Sequence, residues 1–545
     1  MMKQTHLDNG SAPGWRCSTV ALLLMLTACA GRADNDAYMA IASPTSLSEQ
    51  VFTVGYERIA EYYVDPVPMG ELVIVGLTGL MTLDPRLTIT AIRGQSLIEI
   101  HIDYDGETVA AVSLPPPQDA RAWGRMTEKV LRQARMHSPL LNNTELSAIH
   151  AAIMRRATSL LDPYSRYATP SRAAEERVNR EGYSGIGVGL LDGPNGPVVQ
   201  TVLQASPAAA AGLRAGDRIT HIGAHATVGL DANSTARLLR GREGKRVSVA
   251  YQRGEQAPQW LRLYRRRLIE NTVAFQFSDG VGIITVSRFN QSTYQNVGAS
   301  VADLVSFGPR LRGLVLDLRD NPGGLLYQAV KTADLFIDTG TIIQTQGRHP
   351  DSRMLYKAHA GDMANALPLV VLINGQSASA AELVAMALRD SDRAVVVGSL
   401  SFGKGLLQTV TDLPNGGTLF VSWSRIVSPE GYPLHGNGVM PTVCATASNN
   451  AENADPIPAT EAISIARVLD LARTDGQLAP VAHTRSSLTA MAMGIGACTT
   501  PPTDAASGLE IAKKLIMEPA LYRRAQRLQR VNLASEAAGP RLFGE

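Results

Sequence analysis

Across residues 280–445, short runs of aliphatic and β-branched residues alternate with stretches whose apolar positions recur every three to four residues. The runs fall at 281–289, 313–319, 368–374, 394–398 and 418–427, and the helical spacing at 294–306, 324–337 and 379–390. A short run that is apolar throughout reads as a buried strand, and a stretch with one apolar stripe reads as a helix lying against it. Repeated in this order, the two predict an α/β core of layered helices and sheet, extending over 268–445.

The rest of the chain reads differently. Residues 30–48 are small and polar, a tether. Residues 51–64 have helical spacing, with Val51, Val54 and Ile59 on one face. Over 87–114 the pattern alternates like two strands around Arg93-Gly94-Gln95, and Pro115-Pro116-Pro117 ends it. Residues 120–135 and 146–161 read as helices again. Met81-Thr-Leu-Asp-Pro85 and Ser159-Leu-Leu-Asp-Pro163 are alike, which suggests an insertion at about 83–145 within a helical N-terminal domain spanning 49–181. Residues 182–267 form a compact β-rich unit. Beyond 446, Asn, Ala, Asp, Pro and Thr dominate up to a final helix near 508–529, so that 446–545 is expected to be an appended cap or a loose extension.

With 545 residues the chain has room for two to four domains. A net charge of +2 with both signs dispersed gives no reason to expect nucleic acid or an acidic polymer as a partner. No internal apolar run is long enough for a membrane span. Near the N-terminus, Arg16 precedes an apolar stretch at 20–26 and then Thr27-Ala28-Cys29-Ala30-Gly31. This is the charged start, short apolar core and small-residue exit of an export signal over 1–29. Leu26-Thr27-Ala28-Cys29 also resembles a bacterial lipobox, which implies a lipidated Cys29 and a membrane-anchored protein facing the periplasm. A plain cleaved signal with an incidental cysteine is the alternative. Signal removal takes Cys17 and lipidation uses Cys29, leaving Cys444 and Cys498 as a pair in an oxidising compartment, with a disulfide as the expectation. The ten histidines are scattered and no Cys/His spacing suits a metal, so neither metal nor cofactor is expected.

Two stretches carry residues suited to chemistry. Pro368-Leu-Val-Val-Leu-Ile-Asn-Gly-Gln-Ser-Ala-Ser-Ala-Ala-Glu382 runs a strand into a helix opened by small residues. A serine at such a junction sits beside free backbone N–H groups that can hold a developing oxyanion, although Ser-Ala runs also cap ordinary helices. Further on, Gly398-Ser-Leu-Ser-Phe-Gly-Lys404 fits the GxxxxGK of a phosphate loop. Gly405 stands where Ser or Thr would hold magnesium, and residues 406–413 read as a strand, so no helix N-terminus faces a phosphate. Nucleotide binding is excluded. Lys404, among glycines and beside Phe402, Leu406 and Leu407, is a candidate general base instead. At an ordinary pKa of ~10.4 almost no lysine is neutral at pH 7, and desolvation lowers that value. Gln408, four residues on, shares a face with Lys404 if both lie on one strand, where it can orient the amine. A solvated loop lysine is the alternative.

Ser377-Ala-Ser-Ala-Ala-Glu382 and Phe402-Gly-Lys-Gly-Leu-Leu-Gln408 resemble the active-site motifs of the carboxy-terminal processing (tail-specific) serine peptidases. The resemblance implies Ser379 as nucleophile, Lys404 as base and Gln408 as the residue that orients it. Ala381 stands where the family usually has a third serine. Gly313-Leu-Val-Leu-Asp-Leu-Arg-Asp-Asn-Pro-Gly-Gly324 resembles the strand and turn lining the site, and implies an oxyanion hole from Gly323 or Gly324 together with Ala380. Leu161-Asp-Pro-Tyr-Ser-Arg-Tyr167 resembles the family's N-terminal signature. Gly436-Asn-Gly-Val-Met-Pro441 resembles its closing one, with Thr442 in place of Asp. The match spans about 146–445 and implies a crotonase-like layered core.

Ser184-Gly-Ile-Gly-Val-Gly-Leu190, with Ala211-Gly-Leu-Arg-Ala-Gly-Asp-Arg-Ile219 after it, resembles the carboxylate-binding loop and later turn of a PDZ domain. That implies peptide binding through Gly185, Ile186, Gly187 and Val188, whose N–H groups form an anion nest and whose strand accepts the peptide as a neighbour. The expected fold class is therefore multidomain α/β: a helical N-terminal region, a β-rich PDZ domain and the layered core. The expected activity is a secreted Ser-Lys endopeptidase acting on protein or peptide substrates with a free C-terminus. An inactive PDZ scaffold is the alternative. A Ser-His-Asp hydrolase fits poorly, since no GxSxG surrounds Ser379 and His435 is the only histidine in a family-like segment.

Overall fold

Ser46 starts the first helix by accepting the Glu49 N–H on its hydroxyl. The computed structural model describes residues 45–93, 98–445 and 505–537. The export signal with Cys29, the tether as far as residue 44, and Cys498 lie outside the described residues.

The N-terminal region runs through α1 (Leu47–Tyr62), α2 (Met69–Leu77), β1 (Leu87–Arg93), β2 (Ile98–Tyr104), β3 (Glu107–Ser113), α3 (Ala120–His137) and α4 (Leu146–Thr158). The three strands make one antiparallel sheet. The segment 83–145, expected to be an insertion, supplies much of the local core. Ile100 and Ile102 of β2 and Trp123, Val130 and Leu131 of α3 pack in one cluster with Val51, Phe52 and Tyr56 of α1. The two similar pentapeptides do different work. Asp84 is buried and accepts the Ser138 hydroxyl at 2.6 Å, whereas Asp162 accepts the Tyr164 and Ser165 N–H groups in a turn.

After β4 (Arg166–Ala168) and α5 (Pro170–Glu181), the β-rich unit holds β5 (Tyr183–Gly185), β6 (Val188–Leu191), β7 (Val198–Val202), β8 (Arg218–Ile222), α6 (Ala232–Leu239), β9 (Arg246–Gln252), β10 (Gln259–Tyr264) and β11 (Arg266–Leu268). Its sheet has the order β10-β9-β8-β7-β6, and β5 pairs separately with β11. Asp217 of the Gly-Asp-Arg turn is buried and bound twice by Arg253, at 2.7 and 2.8 Å, which ties that turn to the end of β9.

The layered core comprises β12 (Val273–Ser278), β13 (Val281–Val286), α7 (Thr293–Val305), β14 (Gly313–Asp317), α8 (Leu326–Asp334), β15 (Thr341–Gln346), β16 (Leu355–Lys357), β17 (Leu369–Ile373), α9 (Ala380–Asp390), β18 (Val395–Gly398), β19 (Leu406–Asp412), β20 (Thr418–Val427) and β21 (Val443–Cys444). The larger sheet has the order β12-β13-β14-β17-β18-β21, antiparallel at its first pair and parallel thereafter. A second, antiparallel sheet has the order β16-β15-β20-β19, with β4 from the N-terminal region pairing with β20.

Side chains alternate across the larger sheet as a period of two requires. Leu314, Leu316, Leu369, Val371 and Val396 face the cluster formed with α7, α8 and α9. Val281, Val315, Val370, Leu372 and Val397 face the other way. That second face is covered by α10 (Ala505–Met517) and α11 (Pro519–Ala537), through Ile511, Leu515, Ile516, Leu521 and Tyr522. The C-terminal segment that the composition left open as cap or loose extension thus supplies a packed layer. Its expected single helix is two, because Pro519 has no N–H to continue α10 and fits at a helix start. Tyr522 fixes the layer in place. Its hydroxyl donates to the Leu369 carbonyl at 2.9 Å and accepts the Leu369 N–H at 3.1 Å.

Candidate active site

β17 delivers the chain to Asn374, and two turns are then stitched together. The Asn374 N–H donates to Ser377 Oγ at 2.9 Å, and Ser377 Oγ donates to the Leu318 carbonyl at 2.8 Å. The Asn374 side chain exchanges two hydrogen bonds with Asp320, and the Ala378 N–H donates to the Asn321 carbonyl. Ser379 comes next as the N-cap of α9, at φ 55° and ψ −111°. A non-glycine residue held there carries backbone strain, about 1–3 kcal/mol, which the surrounding hydrogen bonds sustain. α9 is buried on nearly every side, and its small residues Ala380 and Ala381 let neighbouring backbone come close.

The glycine turn lies directly against Ser379. A Cβ on Gly323 would sit 2.9 Å from Ser379 Cβ and 3.0 Å from the Ala380 nitrogen. The Gly323 N–H donates to Asn321 Oδ1 at 2.8 Å and is thereby occupied. Among the described residues the N–H groups of Gly324 and Ala380 have no acceptor. Of the two glycines, Gly324 is the one whose N–H is open.

The loop carrying Lys404 is fastened to the same helix by one carboxylate. Glu382 is fully buried; its Oε2 accepts the N–H of Ser379 at 2.6 Å and of Lys404 at 2.9 Å. Its Oε1 accepts the Ser401 hydroxyl and the Gly403 N–H, both at 2.6 Å. Burial pushes the Glu382 carboxyl up, and these four donors pull it back only in part. Lys404 Nζ donates to Gln408 Oε1 at 3.3 Å and lies 4.9 Å from the centre of the Tyr164 ring. Gln408 Nε2 in turn donates to the Tyr164 carbonyl at 2.7 Å. Burial lowers the Lys404 amine from its usual value, Arg166 lowers it further, and Asp162 and Glu382 oppose them. Among the described residues, Gln408 is the hydrogen-bond partner of Nζ, and Ser379 Oγ is not. The arrangement joins a strained serine, two open N–H groups and an amine biased towards neutrality on segments that Glu382 fastens to one another. Those are the parts that acyl transfer needs.

In the β-rich unit, β6 is the edge strand of its sheet and faces α6 across a groove of about 270 Å³. Its walls include Val188, Leu203, Leu239 and Leu268, joined by Val178 from α5. The Ile186 and Gly187 carbonyls accept the Ala208 and Leu203 N–H groups, which holds this loop in place. Gly187 has φ 89°, and a Cβ there would strike Ser206. Gly185 belongs to β5 and pairs with Arg266.

Residues 280–445 match peptidase family S41, and residues 184–259 match the PDZ domain. Residues 280–445 belong to peptidase family S41. A carboxy-terminal-processing protease of Bartonella bacilliformis is 34% identical over 287 residues, 52% of this chain and 66% of that protein. A probable CtpA-like serine protease of Staphylococcus haemolyticus is 30% identical over 318 residues, 58% of this chain and 63% of its own length. The match thus spans slightly under two thirds of these relatives. A solved photosystem II D1 C-terminal processing protease is 26% identical, with 78% of this chain and 98% of that chain covered, at a TM-score of 0.39.

Within the S41 segment, some readings of the sequence need correcting. Lys404 and Gln408 do not share a strand face: β19 begins at Leu406, and a bulge between Leu407 and Gln408 turns the glutamine back towards the amine. Phe402 does not bury Lys404, since it is 56% exposed. The cover comes from Tyr164, in the N-terminal signature. A Cβ on Gly405 would strike the His435 backbone, which is why a phosphate-loop Ser or Thr has no place there. Three contributors escaped sequence reasoning. Glu382 was visible only as the end of a motif. Tyr164 and Arg166 lie more than two hundred residues before Lys404, and no local pattern links them. In the groove, Arg240 also went unnoticed; it lies over the Tyr183 ring at 5.0 Å and, among the described residues, has no acidic partner.

Proposed function

We propose that the chain is an exported serine endopeptidase that works through a Ser379–Lys404 dyad and recognises substrates by their C-termini. The observation that carries this reading is the Glu382 carboxylate, which holds the backbones of the strained Ser379 and of the partly desolvated Lys404 together. Neutral Lys404 takes the proton from Ser379 Oγ as the oxygen attacks the substrate carbonyl carbon. The developing oxyanion is held by the N–H groups of Ala380 and Gly324. The lysine then gives its proton to the leaving amine, and a water activated by the same amine releases the acyl group from Ser379. Gln408 and Tyr164 hold Nζ in a resting position from which it swings towards Ser379. Intact-protein mass spectrometry of a tailed model substrate, with wild type beside Ser379→Ala and Lys404→Ala, tests the dyad. Cleavage that survives either substitution overturns it, and a wild type as inert as Ser379→Ala favours a peptide-binding scaffold.

Substrate ends enter the groove between β6 and α6, pairing with the open strand edge and placing the terminal carboxylate at the 185–188 loop, beside Arg240. Amidating the substrate C-terminus is expected to weaken cleavage; equal turnover of both forms refutes tail recognition. Cys29 anchors the protein by lipid on the periplasmic side, so Cys29→Ser is expected to release it from membranes. Cys444 is disulfide-bonded, and its proposed partner is Cys498; non-reducing peptide mapping that fails to find the crosslinked pair overturns the assignment.

A further inference from the structure

Residues 240–267 hold nine Lys and Arg against two Glu, a local net charge of +7 in a chain whose net charge is +2. The even spread of charge suggested by composition fails at this place. Four of these cations are engaged. Arg253 pairs with Asp217, Arg265 donates to the carbonyls of Leu238 and Leu239, Arg267 donates to Gln291, and Arg240 lies over Tyr183. Arg242, Lys245, Arg246, Arg262 and Arg266 are exposed and, among the described residues, have no acidic partner.

The strand register gathers part of this charge onto one face. Arg246 stands opposite Tyr264, Ser248 opposite Arg262, and Ala250 opposite Trp260. Directly opposed residues point the same way. Arg246, Trp260, Arg262 and Tyr264 therefore share the outer face of β9 and β10, while Val247, Val249 and Leu263 turn into the core. The two rings are largely exposed, Trp260 at 56% and Tyr264 at 63%, with His221 of β8 beside Trp260 at 5.8 Å.

We infer that this face docks on an anionic phospholipid bilayer. Exposed Trp and Tyr favour the membrane–water interface, where an apolar ring body and a polar tip are both satisfied. Arginines at the same level meet the negative headgroups, each contributing attraction that a neutral residue lacks. The rings lie four residues apart on a strand, roughly 13 Å. That is too far for stacking on successive bases of a nucleic acid and suits two separate anchors in an interface. The sheet order puts β10 at the edge opposite β6, so the face stays open while the groove holds a peptide.

The test uses the full chain carrying Cys29→Ser, so that no acyl anchor contributes, mixed with phosphatidylcholine vesicles with and without phosphatidylglycerol. Sedimentation with the anionic vesicles alone is expected, weakening as salt is added. Arg246→Ala and Arg262→Ala are each expected to weaken partition about fivefold, and Trp260→Ser with Tyr264→Ser to weaken it at any salt. An unchanged thermal midpoint shows that each variant is folded. The inference is overturned by no sedimentation with anionic vesicles at low salt, by partition indifferent to all four substitutions, or by tighter binding to a single-stranded oligonucleotide than to the vesicles.

Discussion

Replacing Glu382 by Gln removes a charge while keeping the shape, and the hydrogen-bond pattern sets what that costs. Each carboxylate oxygen accepts two donors, and at least one of each pair is a backbone N–H. An amide must present NH₂ on one side. Placed at Oε2, it would face the N–H groups of both Ser379 and Lys404. Placed at Oε1, it would face only the Gly403 N–H, because the Ser401 hydroxyl can turn and accept. The second orientation costs less: one orphaned buried N–H, about 1–3 kcal/mol, and two charge-assisted bonds reduced to neutral ones, about 1 kcal/mol each. Burial already penalises the charged carboxyl, and removing the charge returns part of that penalty. The net expectation is about 2–3 kcal/mol of lost stability, enough to shift the urea midpoint clearly and too little to unfold a domain of ordinary stability. The measurement is urea unfolding in a Ser379→Ala background, which avoids self-digestion, alongside steady-state hydrolysis in the Ser379 form. Because the two backbones lose their common tether, kcat is expected to fall at least tenfold while KM changes little. An unchanged urea midpoint together with wild-type kcat would refute the reasoning.

Gln408→Ala is expected to leave partial hydrolysis, because the glutamine orients the amine without carrying the proton; complete loss would give it a direct part in the chemistry. Arg166→Gln removes a cation that lowers Lys404, so the rising limb of the kcat/KM profile is expected to move to higher pH, and a shift to lower pH would contradict the assignment of the base. Asn415 donates to His150 Nδ1 at 3.0 Å and Ser48 Oγ meets the ring's other nitrogen at 2.9 Å, while burial lowers the histidine's pKa to about 4 and keeps it neutral. Unfolding lets that histidine bind a proton, so stability is expected to fall as pH drops from 6.5 to 4, by at most about 3 kcal/mol, and His150→Gln to flatten that slope in acid-titrated thermal unfolding. Tyr522→Phe removes the acceptor of the buried Leu369 N–H and is expected to cost about 2 kcal/mol by chemical denaturation, with no change in KM.

What could be read in advance depended on how far apart the cooperating residues lie. The inner strands of the larger sheet, β13, β14, β17 and β18, were legible because they are covered on both faces, which makes runs such as Leu369-Val-Val-Leu-Ile373 unmistakable, whereas the edge strand β12, largely exposed, was not read. Ser379 was legible because a strand-to-helix junction has a local signature. The role of 83–145 was not, since its strands show period two whether they cover a helix pair or stand apart, and only the contact of α3 with α1 decides. The cover over Lys404 was misread for the same reason. Phe402 is adjacent in sequence and points to solvent, while Tyr164 is remote in sequence and lies beneath the amine. Gly323 and Gly324 could not be told apart until Asn321 was seen to occupy one of their two N–H groups.

The two C-terminal helices bear on timing. Residues 505–537 are the last of the described segments to leave the ribosome, yet they form one whole wall of the sheet from which the Ser379 junction and the glycine turn are hung. Until they arrive, Val281, Val315, Val370 and Leu372 face water on one side, and the start of β17 lacks the tyrosine that clasps it. A growing chain therefore lacks this side of the sheet until residues 505–537 have emerged. Emergence of residues 505–537 is thus a step on which support of the Ser379 junction depends, and a product cut short before them is expected to lack that support.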